Sequence, residues 1–151
     1  MLNISIPANQ KVLQYLALRN RTAPLLAAAN STPDPYFGLS SHPEIVEHLW
    51  KNLGRSLPLN CCWIVRGTPA LVHPGSGVVL AFALGTQYVL RLPPDSAAEA
   101  VILGARVTTT WAWGQTTDIS RELGAEWVFG RFLPQEPEWV NRAFKDFGGL
   151  D

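Results

Sequence analysis

The stretch from Cys61 to Leu92, CCWIVRGTPALVHPGSGVVLAFALGTQYVLRL, constrains the fold more than any other part of the chain. Within it only Arg66 and Arg91 carry formal charge, and turn chemistry breaks it into short apolar runs. Cys61 to Arg66 is rich in β-branched and aromatic residues and stops at Gly67-Thr68-Pro69. Ala70 to His73 stops at Pro74-Gly75-Ser76-Gly77, and Val78 to Leu84 is apolar throughout. Gly85-Thr86 then suits a two-residue hairpin with glycine at the first central position, where φ must be positive. Gln87 to Leu92 returns antiparallel, and Pro93-Pro94 forbids further pairing. The punctuation predicts a four-stranded antiparallel meander.

Alternation along Val78 to Leu84 places Val78, Leu80, Phe82 and Leu84 on one face and Val79, Ala81 and Ala83 on the other. A strand with one wet face would alternate apolar with polar residues. This one is apolar on both faces, so it is expected to be central. The small face would take a helix at close range, or a second subunit.

At 151 residues, one domain is the default, and the chain can bury a sizeable core. Twelve Lys and Arg balance twelve Asp and Glu, with no basic run or acidic tail, so attraction to polyphosphate is not encoded globally. The charge balance therefore places nucleic-acid binding behind the other readings. The two cysteines are adjacent, Cys61 and Cys62. On a strand they point to opposite faces and do not pair with each other, which fits a reducing compartment. The opening MLNISIPANQ lacks a basic region followed by an apolar core, and no stretch approaches the ~20 apolar residues of a membrane span. The expectation is a cytoplasmic protein.

Residues 1–40 read as a helical arm and loop, and 41–151 as a single α+β domain. Asn9 is expected to cap a helix running to about Asn20. A short helical piece covers Pro24 to Ala29, and NSTPDPYFGLS from Asn30 reads as a loop. Ser41-His42-Pro43-Glu44 looks like a capping box for a helix to Leu53, closed by Gly54. Ser96-Ala97-Ala98-Glu99 repeats the pattern for an alanine-rich helix to Leu103. Arg106 to Trp113 reads as a strand, and Gly114 to Gly124 as a loop with one helical turn from Ile119. Glu126 to Leu133 reads as a last strand, with Trp127 and Phe129 opposite Val128 and Phe132. A final helix begins at Gln135 or Glu136 and buries Trp139, Val140, Ala143, Phe144 and Phe147 at helical spacing. The fold class is α+β: an antiparallel meander sheet packed with helices, with N-terminal helices preceding it.

No motif specifies a reaction, and neither cofactor nor metal is expected. His42, His48 and His73 match no zinc spacing. The apolar setting of Cys61 and Cys62 suggests buried thiols rather than nucleophiles. His73-Pro74-Gly75-Ser76-Gly77 lacks the lysine and the following helix of a phosphate loop, so it reads as a hairpin connection. Glu136 and Glu138 favour the first turn of a helix, while Asp118, Glu122 and Glu126 fall in or beside a loop. The remaining set is Arg66, His73 and Arg91 with Trp111 and Trp113. A cation among apolar strand neighbours either snorkels, pairs with an acid, or meets an anionic ligand. Two tryptophans at alternate strand positions either floor a cleft or pack as core.

The order of these elements resembles a known family. A capped helix, Gly67, a short strand turning at Gly75-Ser76-Gly77, Val78 to Leu84 paired through Gly85-Thr86 with YVLRL, and then a helix look like the TfoX amino-terminal domain and the related YjbR-type proteins. EWVFGRF followed by the Trp139-to-Phe147 helix fits the same ending, over about residues 42–147. Arg66-Gly67-Thr68-Pro69 stands where that family usually has a Met-Phe-Gly-Gly-like start. The resemblance implies a small regulatory or interaction domain without catalytic residues. The leading expectation is thus a non-catalytic domain that binds a protein partner or itself. The alternative is a small-molecule binder or enzyme with a cleft near Arg66, His73 and Arg91, and the third is a weak nucleic-acid-binding module.

Overall fold

The structure is a computed structural model describing residues 2–19, 23–28, 41–111 and 114–149. The expected loop over 30–40 and the side chain of Trp113 lie outside the described residues. In chain order the elements are α1 (Pro7–Arg19), β1 (Leu26–Ala28), α2 (Pro43–Glu47) continuing as a π-helical segment (His48–Leu53), β2 (Cys62–Val65), β3 (Thr68–Val72), β4 (Val79–Leu84), β5 (Gln87–Arg91), α3 (Pro94–Ile102), β6 (Thr108–Thr110), β7 (Thr116–Asp118), α4 (Ile119–Leu123), β8 (Trp127–Phe129) and α5 (Glu136–Asp146). The fold is α+β. Its main sheet is antiparallel and six-stranded, in the order β1-β2-β3-β4-β5-β8.

The meander is present as β2 to β5. Arg66 and Gly67 turn β2 into β3 with φ of 50° and 76°, the doubly positive geometry that matches strand twist. Gly85, at φ 62°, does the same work between Leu84 and Gln87. The expected faces of β4 are corrected by a bulge. Leu71 pairs with Ala81 but Val72 pairs with Val79, so Leu80 is the extra residue. Alternation breaks there: Val78, Leu80, Ala81 and Ala83 share one core, while Val79, Phe82 and Leu84 enter the other.

Helices cover both faces. The π-helical segment and α5 lie over β4 on the Ala81 and Ala83 side, with Leu49, Leu53, Trp139, Val140 and Ala143 in that core. Ala97 and Ala100 of α3 join the same core. On the other face Val12 and Leu16 of α1 and Ile119 and Leu123 of α4 pack on Phe82, Val89, Trp127 and Phe129. Burying each such large side chain contributes roughly 1.5–3 kcal/mol.

Several local expectations are corrected, each by a neighbour distant in sequence or by proline. The helical piece expected from Pro24 is a strand over its described residues: Leu26 and Ala28 pair with Val65 and Trp63, because the outer edge of β2 offers a ladder that outweighs alanine's helix propensity. α1 starts at Pro7, so Asn9 lies inside the helix and is fully buried rather than capping it. His42, not Ser41, caps α2: its Nδ1 accepts from Glu44 N at 3.2 Å, with Pro43 in the first turn. α3 starts at Pro94, which leaves Ser96 buried within the helix and frees Glu99 to accept from Trp139 Nε1 at 3.2 Å. Among the described residues the strand expected over 106–113 is only β6, and it pairs with the unforeseen β7 in a separate two-stranded sheet. Cys61 and Cys62 both pack against one core instead of facing opposite ways, because Cys61 ends a 3-10 turn before β2 begins.

Candidate functional site

The register of the meander's last strand builds the candidate site. Arg91 ends β5 opposite Trp127, and Leu92 N donates to Glu126 O at 2.8 Å. That pairing brings Glu126 beside the Arg91 side chain. Glu126 Oε1 accepts from Arg91 Nε at 3.0 Å and from Nη2 at 2.6 Å. The guanidinium carbon lies 5.3 Å from the Trp127 ring centre and 5.2 Å from that of Phe147, so aromatic rings support it as well. Arg91 is only 5% exposed, and its Nη1 is enclosed without an acceptor. A buried charge with an unpaired donor is costly, on the order of 1–3 kcal/mol for the missing bond.

Arg91 belongs to the floor of a cleft of about 910 Å³, a volume within the usual range for small-molecule sites. One wall is the first turns of α1, with Pro7, Ala8 and Lys11. The opposite wall is α3, with Pro94, Ala97, Ala98 and Val101. Residues 123–126 and Phe147 close it. The wall is mostly apolar. Lys11 and Arg91 against Glu126 leave one net positive charge on the lining, and the lining has no histidine or cysteine.

Of the five side chains singled out from the sequence, the four that are described do not converge. Among those four, Arg91 alone lines this cleft. His73 sits past the end of β3, where its Nδ1 accepts from Gly75 N at 3.0 Å and Ser76 N at 3.1 Å and its ring stacks on Phe144 at 4.2 Å. Burial lowers its pKa, and both amides require an unprotonated Nδ1, so this histidine is a neutral turn clamp. Arg66 occupies the β2–β3 turn at the other end of the sheet and donates to Ala23 O at 3.3 Å. Trp111 is 9% exposed, donates from Nε1 to Thr117 Oγ1 at 2.9 Å, and borders a separate recess of about 320 Å³. Trp113 is outside the described residues. Burial pushes the Cys61 thiol up to about 11, with Cys62 adding to the effect, and burial raises Cys62 too. Both are thiols rather than thiolates at neutral pH. Among the described residues no three His, Cys, Asp or Glu side chains are grouped as metal ligands would be. No described helix is long and apolar enough to cross a membrane.

Sequence reasoning missed Glu126 as the partner of Arg91, because 35 residues separate the two. The only signal was that a strand-end arginine among apolar neighbours needs an acid or an anion. No protein-family model, curated protein or solved structure matches this chain.

Proposed function

We propose that this chain is a non-catalytic binding domain whose ligand is a small apolar molecule with one anionic or carbonyl head. The observation that carries this reading is the buried Arg91 guanidinium, unpaired at Nη1, in the floor of a cleft with apolar walls. The walls suit a hydrocarbon body. The head would accept from Nη1 as the Phe147 ring gives way, and Lys11 would attract it at the mouth. The single net positive charge of the lining favours one negative charge over two. The free thiols support a reducing compartment such as the cytoplasm.

Decanoate, decanol and acetate are suitable probes, followed by tryptophan fluorescence and thermal melting of the full chain. Decanoate is expected to give a saturable response that Arg91→Met weakens by about tenfold, the scale of one charge-assisted bond. Acetate, with no apolar body, is expected to give none. A protein unresponsive to both decanoate and decanol would sink the reading.

Self-association, the second reading, is favoured by the consecutive exposed side chains Val101, Ile102 and Leu103 at the end of α3. Three side chains fall well short of the ~800 Å² per partner of a stable interface, which is why it ranks second. Light scattering behind a sizing column tests it, with Ile102→Lys as the disrupting variant.

A further inference from the structure

A second concavity, of about 460 Å³, lies between the start of β5, β6 and the segment that follows β8. Its chemistry is the opposite of the cleft's. Arg106 and Arg131 line it with Gln87, Thr108, Thr110 and Phe132, and no carboxylate does. Backbone pairing fixes the arginines there: Phe129 N donates to Arg106 O at 2.8 Å, so Arg106 lies beside the strand that Arg131 follows. Neither guanidinium forms an ion pair among the described residues.

Two acids that pairing brings close to this wall are committed elsewhere. Asp118 is the register partner of Thr108, but its carboxylate accepts from Ser120 N, Ser120 Oγ and Arg121 N at the start of α4. Glu136 is 1% exposed and accepts from the Tyr88 hydroxyl and, at 2.8 Å, from Arg131 N. Two uncompensated cations on one concave wall repel each other, and an anion between them relieves that repulsion.

The segment bearing Arg131 and Phe132 is held in a conformation it would not choose. Three successive amides are pinned: Gly130 N to Tyr88 O at 2.9 Å, Arg131 N to Glu136, and Phe132 N to the Tyr88 hydroxyl at 2.7 Å. Phe132 has a φ of 57°, rare for an aromatic residue, and is 59% exposed. Its ring is backed by His48 at 4.5 Å and meets Tyr88 edge-on at 5.2 Å. A strained, rigidly backed and exposed ring beside two free guanidiniums is an unusual use of a surface segment.

We infer that this concavity is a binding site for a small phosphate monoester carrying a flat ring. Arg106 and Arg131 hold the phosphate by charge-assisted hydrogen bonds, the ring stacks on Phe132, and the Thr108 and Thr110 hydroxyls serve the polar groups between. The site is independent of the apolar cleft and does not rest on the function proposed for it.

Titration calorimetry of the full chain with adenosine monophosphate, adenosine and inorganic phosphate tests the assignment. Adenosine monophosphate is expected to bind saturably and more tightly than inorganic phosphate. Arg106→Gln and Arg131→Gln are each expected to weaken it by about tenfold or more. Phe132→Leu is expected to weaken the nucleotide but not inorganic phosphate, and Arg91→Met to change neither. Both arginines are exposed, so unchanged melting of the glutamine variants separates lost binding from lost folding. No saturation by about 10 mM nucleotide, far weaker than a millimolar site, overturns the proposal. So does a double arginine variant that binds as the parent does. Equal affinity for nucleotide and inorganic phosphate refutes the role of Phe132.

Discussion

Tyr88→Phe removes one oxygen and with it two buried hydrogen bonds. The Tyr88 hydroxyl donates to Glu136 Oε1 and accepts from Phe132 N at 2.7 Å. Tyr88 and Glu136 are each 1% exposed, so water does not readily replace what is lost. A hydrogen bond to a charged acceptor contributes roughly 1.5–3 kcal/mol, and an orphaned amide costs about 1–3 kcal/mol. The two share one atom, so they do not add fully. Release of Phe132 from its strained φ offsets some of the loss. The expected destabilisation at pH 7 is therefore about 2–4 kcal/mol, against a typical total of about 5–15 kcal/mol.

The pH dependence has a definite sign. Burial raises the Glu136 carboxyl pKa, while the bonds from Tyr88 and from the Arg131 amide pull it down. A carboxyl raised in the folded state contributes its stability below the unfolded value, about 4.3, and loses it as pH climbs through the folded value. Without the Tyr88 hydroxyl the folded value rises further. The penalty of Tyr88→Phe should thus be smaller near pH 4, where Glu136 is largely protonated, and grow toward pH 7. Tyr88 itself stays protonated across this range, because burial and the neighbouring Glu136 push its pKa upward. Urea denaturation at the two pH values, followed by tryptophan fluorescence, reads the effect. A loss under about 1 kcal/mol at pH 7, or one equal at both pH values, would refute the view of this pair as a buried charged latch.

Asn9→Asp should destabilise by at least about 3 kcal/mol in the same assay. Asn9 Nδ2 donates to Asn3 O at 2.6 Å and Gly77 O at 2.8 Å, and an aspartate would turn an acceptor toward both carbonyls. Wild-type stability in that variant would mean the buried amide does not tie α1 to the β3–β4 connection. Gly130→Ala should cost about 3 kcal/mol or more, because its Cβ would stand 1.8 Å from Tyr88 Cε2. Unchanged melting of that variant would contradict the close approach on which the pinned segment depends.

The four strands of the meander were legible in the sequence because their signals are local. Gly67, Gly85 and Pro93-Pro94 set where strands end, and β-branched and aromatic runs set where they lie. The last helix was equally plain, since Trp139, Val140 and Ala143 recur at the spacing of one helical face. The α+β class followed from the order of these pieces. Helix starts were less legible: a capping pattern at Ser41 or Ser96 competes with nearby prolines, and the prolines won.

The rest depended on partners far along the chain. The bulge at Leu80 is a matter of register between β3 and β4, and no residue in β4 announces it. β1 is a strand only because β2 has an open edge beside it. Arg91 meets Glu126 across 35 residues, and Tyr88 meets Glu136 across 48. A sequence shows which side chains need a partner when buried, since that need is a property of the side chain. Which partner arrives depends on how sheet register and helix packing bring remote backbone together, and only the tertiary structure decides that.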